Sequence, residues 1–397
     1  MNNGTSASVG WAWMYPIDVS TLKQPTGDLT NAFAGDRATR DQLDTYLNGS
    51  ILLYNDFAGT DTLQGKKIEF VNQTRYGMIA CDSIMLFSGI SDDYEFLASN
   101  INTGKNIGFL HKIGKGEFLH YPTQFVVENN DTKLWISDGH KNKMNLLNIS
   151  KSVEKVTTVI DTTIDIESAK DFESISRAFM LDNDITLVKN GAEFLYKAPN
   201  DLPNGDFLIG GNPLAPYLPS AYHIYKGQEK LKEFKVFAKP LINPNSPNSR
   251  GLLSSIDGIK PDKSKIVMGM ISIPQINILD LNTGIVRGFR QKSSIDFNKL
   301  ANITTAEAKV YYWGIEADNH YIFGMYVNKS IKDAPDVLTN EIHIFDWEGE
   351  AVKRLIVEQK FDVMTLDDKN KKLYTRNAKG EIYCYDIVTF TNKTLTA

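Results

Sequence analysis

The 397-residue sequence has little cysteine. Its two, Cys81 and Cys384, are too few for a disulfide scaffold, and nothing around them has the spacing of a zinc site. Both sit in apolar, strand-like stretches, which predicts buried free thiols. A disulfide between them is the alternative in an oxidising compartment. No run approaches the ~20 apolar residues of a membrane-spanning helix. The opening MNNGTSASVGWAWMYP has neither the charged nor the apolar segment of a secretory leader. Basic residues form no stripe or tail: 43 Lys and Arg are interspersed with 48 Asp and Glu for a net charge of −5, so nucleic acid is not an expected partner. The densest lysine cluster, Lys369 with Lys371 and Lys372, follows Asp367 and Asp368 and reads as a solvated turn. Also missing are a G-x-S-x-G elbow, a Walker loop, a D-x-D-x-D-G calcium loop, a repeated Ser-x-Asp-x-Gly box and a Gly-His…Trp-Asp series. Hence no catalytic residue, no metal ligand and no cofactor is assigned.

What is present is a repeat. Aromatics reach 11%, which favours sheets. An alternating apolar strand, then usually Asp or Asn, then a tight turn recurs as FLASNINTG, MNLLNISKS, YHIYKGQEK, INILDLNTG, IHIFDWEGE and IYCYDIVTF. The aligned turn positions are Asn100, Asn148, Tyr225, Asp280, Asp346 and Asp386. Asn and Asp open turns by hydrogen bonding to their own backbone. Gly104, Gly284 and Gly349 follow where a positive φ is often needed. The spacing is irregular but suits propeller blades with loop insertions.

Each copy is preceded by two more strand candidates, such as QFVVE and KLWIS before MNLLNI, with VTTVI as a fourth strand behind it. Four short antiparallel strands per unit, repeated six times, predict an all-β six-bladed β-propeller with four-stranded antiparallel blades. Its extent would be residues 51–397. One segment between Ile51 and Arg75, ILLYND or KIEFVN, should complete the last blade and close the ring. Residues 1–50 do not match the repeat and read as an N-terminal appendage. A short helix is expected over Asp36–Leu47 from the i, i+3, i+4 spacing of Leu43, Tyr46 and Leu47.

In such a blade the loops between strands two and three share one face. Two of them are long insertions, GNPLAPYLPS, which holds Asn212 and Tyr217, and NKSIKDAPDVLTN. A third, Asp138-Gly139-His140-Lys141-Asn142-Lys143, is the most polar. Long or polar loops on a rigid scaffold are where binding tends to sit, so Asp138, His140, Lys143, Asn212 and Tyr217 are the candidate binding residues. Asp138 and His140 have the chemistry of a metal ligand or an acid–base pair, and also of a plain Asp-Gly hairpin turn. Asp131, Asp262, Asp318 and Asp367, in the one–two turns, read as turn formers.

A more specific signal lies in INTGKNIGFLHKIGKGEFLHYPTQFVVENNDTKLWISD. Gly114, Gly116, Glu117 and Phe118 resemble the Gly-x-Gly-Pro-x-Glu-Phe segment between the first two blades of the TolB-like six-bladed propeller family, without its Pro and the spacer after it. The blade pattern is also similar to NHL-type propellers. The resemblance implies an exported bacterial protein, periplasmic or on the cell surface, whose leader is not part of this chain. A cytoplasmic location is the alternative.

The function expected is non-enzymatic: a propeller, taken to be a monomer, that binds a protein, peptide or glycan through its loop face. A hydrolase or lyase with a site at the axial pocket is the second reading, and a structural part of an envelope assembly the third.

Overall fold

The computed structural model describes residues 47–70, 77–88, 94–112, 121–128, 131–138, 143–155, 157–165, 175–182, 185–190, 221–226, 229–237, 254–292, 309–330, 332–333 and 337–387. The helix expected over 36–47 lies outside them except for Leu47, which sits in an isolated bridge to Phe237.

Three short strands come first, β1 (Gly49–Tyr54), β2 (Thr60–Leu63) and β3 (Lys66–Ile68). An antiparallel meander follows: β4 (Met78–Cys81), β5 (Ile84–Ser88), β6 (Tyr94–Asn100) and β7 (Asn106–Lys112). A second comprises β8 (Tyr121–Glu128), β9 (Asp131–Asp138), β10 (Lys143–Asn148) and β11 (Ile160–Asp165). The third is β12 (Ile175–Asp182), β13 (Ile185–Asn190), β14 (Ala221–Lys226) and β15 (Glu229–Lys235). The fourth, β16 (Ser255–Ile259), β17 (Lys265–Met270), β18 (Gln275–Asp280) and β19 (Val286–Gln291), gains β1 as a fifth strand. Finally β20 (Lys309–Ala317), β21 (Tyr321–Ser330), β22 (Thr339–Asp346), β23 (Ala351–Asp367), β24 (Lys372–Asn377) and β25 (Ile382–Asp386) join β2 and β3 in one eight-stranded sheet.

The expectation of six separate blades is therefore corrected: among the described residues four blades stand apart and a fifth sheet is continuous. The cause is β23. It runs 17 residues without a break, pairing with β22 through its first half and with β24 through its second. A second correction concerns VTTVI. The chain after Asn148 forms the helix α1 (Ile149–Lys155), and the fourth strand starts only at Ile160. Asn148 caps that helix, its Oδ1 accepting from Lys151 N at 2.9 Å.

The arrangement is that of a propeller. Apolar clusters lie between successive sheets. Leu86 and Phe96 meet Leu134 and Leu147, and Trp135 and Met144 meet Met180 and Val188. Next, Phe179 and Tyr222 meet Met268 and Leu279, and Val267 and Ile276 meet Tyr312 and Ile322. Within the eight-stranded sheet Phe323 and Ile344 meet Phe361 and Leu373. Tyr374 and Ile382 then return to Met85 and Phe87 of the first sheet, and the circle closes.

The turn chemistry follows the sequence reading. Oδ1 of Asn100, Asp280 and Asp346 each accepts backbone N–H groups two to four residues ahead. Asp262, Asp318 and Asp367 do the same in the one–two turns.

Ring closure is carried by KIEFVN, whose β3 pairs antiparallel with β25. ILLYND has another place: β1 runs parallel to β19, Gly49 opposite Val286. A Cβ on Gly49 would sit 1.9 Å from the Val286 carbonyl oxygen, so only glycine allows this approach. Between them β2 runs parallel to β23, Thr60 opposite Arg354. Starting from the Asn48 N–H, which donates to Val236 O at 2.8 Å, residues 47–68 form a strap over successive sheet edges. It pairs rows of N–H and C=O groups that would otherwise invite other strands.

Candidate functional site

Of the residues singled out in the sequence, His140, Asn212 and Tyr217 lie outside the described residues. Asp138 ends β9 as the register partner of Lys143 on β10, so the hairpin brings these two together. Its side chain lies outside the described set. The Lys143 ammonium pairs with Asp165 on β11 at 3.1 Å.

A cleft of about 170 Å³ opens where the β18–β19 hairpin meets the β22–β23 turn. Ile278, Phe289 and Trp347 form its floor. Lys265, Asp280, Arg287 and Glu348 stand around it, and Ile285 at the hairpin tip is 53% exposed. Gly349 makes the floor possible. Its φ is +88°, and a Cβ there would lie 2.1 Å from the Phe289 ring, so a side chain would displace the phenyl group.

The charges are held in place. Lys265 Nζ donates to Glu348 Oε1 at 2.7 Å and to the Trp347 carbonyl at 3.0 Å. Trp347 Nε1 donates to Asp318 O at 2.8 Å. Burial opposes ionisation of Asp280, yet hydrogen bonds from Thr283 and Asn282 outweigh it and hold the carboxyl below its usual range. Arg287 is half exposed, with its guanidinium 4.0 Å from Glu348. The lining thus offers an apolar floor within a rim of both signs. Sequence reasoning had marked both turns through Asp280, Gly284, Asp346 and Gly349, but as turns only. That they meet is set by blade packing, which leaves no local signal.

A second polar group spans β13 and β16. Lys189 Nζ donates to Asp257 Oδ2 at 2.7 Å and to Ser255 Oγ at 2.8 Å, and Ser255 Oγ donates to Asp257 Oδ1 at 2.7 Å. Lys189 and Asp257 are both buried. Among the described residues no three His, Cys, Asp or Glu side chains gather as a metal site, and no helix is long and apolar enough to cross a membrane.

No family model matches the chain, and no curated protein does. Among solved structures it is similar to a luciferin-regenerating enzyme, at 8% identity and a TM-score of 0.43, over 82% of this chain and 96% of that one. It is also similar to a protein of Bacteroides fragilis named as exported, at 11% identity and a TM-score of 0.47, over 85% of this chain and 99% of that one.

Proposed function

We propose that the chain is a non-enzymatic propeller that binds a protein or peptide, anchoring one apolar side chain of the partner in the cleft between the β18–β19 hairpin and the β22–β23 turn. The observation that carries this is the size and lining of the cleft. Small-molecule sites have roughly 300–1,000 Å³; about 170 Å³ over Ile278, Phe289 and Trp347 has room for little more than a side chain. Lys265, Arg287, Asp280 and Glu348 around the rim suit the mixed polar surface of a polypeptide better than a neutral glycan. Residues Asp138, His140, Lys143, Asn212 and Tyr217 belong to the same reading as a second contact surface on the two–three loop face.

This reading counts six blades, with the two halves of the eight-stranded sheet as two of them. The six shared apolar clusters support that count. The TolB-like pattern at Gly114–Phe118 adds an exported location.

Catalysis by the Lys189–Ser255 pair has a chemical obstacle. The Ser255 hydroxyl proton is already given to Asp257 Oδ1 at 2.7 Å, and Lys189 Nζ donates to Ser255 Oγ rather than accepting from it.

The test is selection of a random-peptide display library on the purified protein, followed by calorimetry of the selected peptides. Peptides with one bulky apolar residue are expected, and Ile285→Glu should weaken them by about tenfold or more. Equal binding to Ile285→Glu would move the site elsewhere. Turnover of a chromogenic ester or glycoside panel, lost in Ser255→Ala, would replace this reading with the enzymatic one.

A further inference from the structure

Between Tyr54 and Gly59 the strap is held by ring packing and ion pairs. Phe57 packs on Phe345, ring centroids 5.3 Å apart, and lies 4.4 Å from the His343 ring, against which Tyr326 stacks at 3.9 Å. His343 Nε2 is 2.9 Å from Glu341 Oε1, and its Nδ1 is 3.1 Å from the Tyr312 hydroxyl. A carboxylate only accepts, so the ring proton sits on Nε2 and Nδ1 accepts from Tyr312. The Tyr54 hydroxyl on the strap interacts electrostatically with that of Tyr312. On the other side Glu341 pairs with Arg354 at 3.1 Å. Arg354 pairs in turn with Asp56 at 2.9 Å and lies 5.6 Å over the Phe57 ring. A polar chain, Tyr312–His343–Glu341–Arg354–Asp56, thus runs from β20 to the strap.

We propose that His343 is an acid-operated latch: a second proton on its ring releases the strap over Tyr54–Leu63 and opens the edge of β23. That proton must go on Nδ1, which then donates and can no longer accept from Tyr312. Tyr312 has to turn, and the charged ring is left against Phe57 of the strap, 4.4 Å away. The new charge lies among Phe57 from the strap, Tyr312 from β20, Tyr326 from β21 and Phe345 from β22. The charged groups facing it are Glu341 on β22, Arg354 on β23 and Asp56 on the strap. Glu341 and Asp56 favour the imidazolium and Arg354 opposes it, while Glu341 is already shared with Arg354. Burial is the largest effect, and it holds the His343 pKa below 6.5. The sign follows. Unfolded His343 takes its proton near 6.5 and the folded ring only at lower pH. The stabilisation is therefore complete above pH 6.5 and is lost as pH falls towards the folded value.

The experiment is hydrogen exchange of the whole protein from pH 7.5 to 4.5, corrected for intrinsic rates, beside an NMR titration of the histidine Cε1 protons. Residues 54–63 and 351–357 are expected to lose about tenfold or more of their protection within one unit of the His343 midpoint, while β4–β7 keep theirs. His343→Gln should abolish the loss. His223→Gln, which changes another buried histidine, should leave it intact. If His343→Gln does not fold, Tyr312→Phe decides. Without its hydroxyl Nδ1 is free to take a proton, so release should move to higher pH. Titration of His343 without strap exchange, protection that persists to pH 4.5, or an unmoved midpoint in Tyr312→Phe would each overturn the proposal.

Discussion

At the scale of single residues, burial decides which reactive groups are available. Cys81 is buried on β4, and burial pushes its thiol up to about 12, with Asp367 and Asp82 adding to the shift. Burial likewise raises Cys384, against a smaller opposing effect of Lys372. The thiolate is the nucleophile, so a thiol at about 12 carries roughly a thousandfold less of it at neutral pH than an ordinary cysteine near 8.5. Ellman's reagent at pH 7.5 should therefore leave Cys81 unmodified in the folded protein and titrate both thiols in urea. Rapid labelling of Cys81 without denaturant would mean that β4 opens. Buried charges behave differently because they arrive paired. Arg376 grips Asp362 through Nε at 3.1 Å and a terminal nitrogen at 2.7 Å, a fork geometry that lysine could not reproduce.

At the scale of elements, Asn148 joins three of them. Beyond capping α1, its Nδ2 donates to Asp131 Oδ2 at 3.0 Å and to Asp161 Oδ2 at 2.9 Å. It thereby ties the β8–β9 turn to the start of β11. Asn148→Ala should cost about 1–2 kcal/mol through the lost cap, read as a lower urea midpoint at unchanged slope. The elements also divide into those legible in the sequence and those that are not. Turns opened by Asp280, Asp346 or Asp367 were legible because a short side chain bonding to the backbone just ahead of it is a local act. Helix α1 is hidden because Ile149–Lys155 is short and opens with a β-branched residue, so its first residues read as the tight turn after MNLLNI. The length of β23 did have a signal that went unread: no Gly, Pro or Asn interrupts Ala351–Asp367, so nothing in it marks a blade boundary. The cleft was half legible, as two turns whose meeting depends on packing between residues far apart in the chain. The partners of β1 and β2 left no trace at all, since parallel addition to a distant edge requires only an extended backbone.

At the scale of the whole molecule the stabilising features are the circle of apolar clusters and its closure. Closure rests on three residue pairs, Ile382 with Ile68, Tyr383 with Lys67 and Cys384 with Lys66, beside the cluster that joins Tyr374 and Ile382 to Met85 and Phe87. Lys67→Pro removes a backbone donor from this ladder and forces a bend. The expected outcome is a lower thermal midpoint, with the calorimetric transition broadening as the first and last sheets part. A single sharp transition at the original temperature would mean that the apolar cluster alone holds the ring.

The strap also sets an order of events. Its residues are synthesised before every strand they pair with: β1 waits for β19, β2 for β23 and β3 for β25. These are contacts of very high sequence separation, the kind that slow folding most. While the chain is being made, each new outer edge is bare until the strap reaches it, and bare edges recruit strands from other chains. The danger of mispairing is therefore concentrated in the interval between the emergence of β19 and the arrival of β25. It ends when β3 of the strap finds β25.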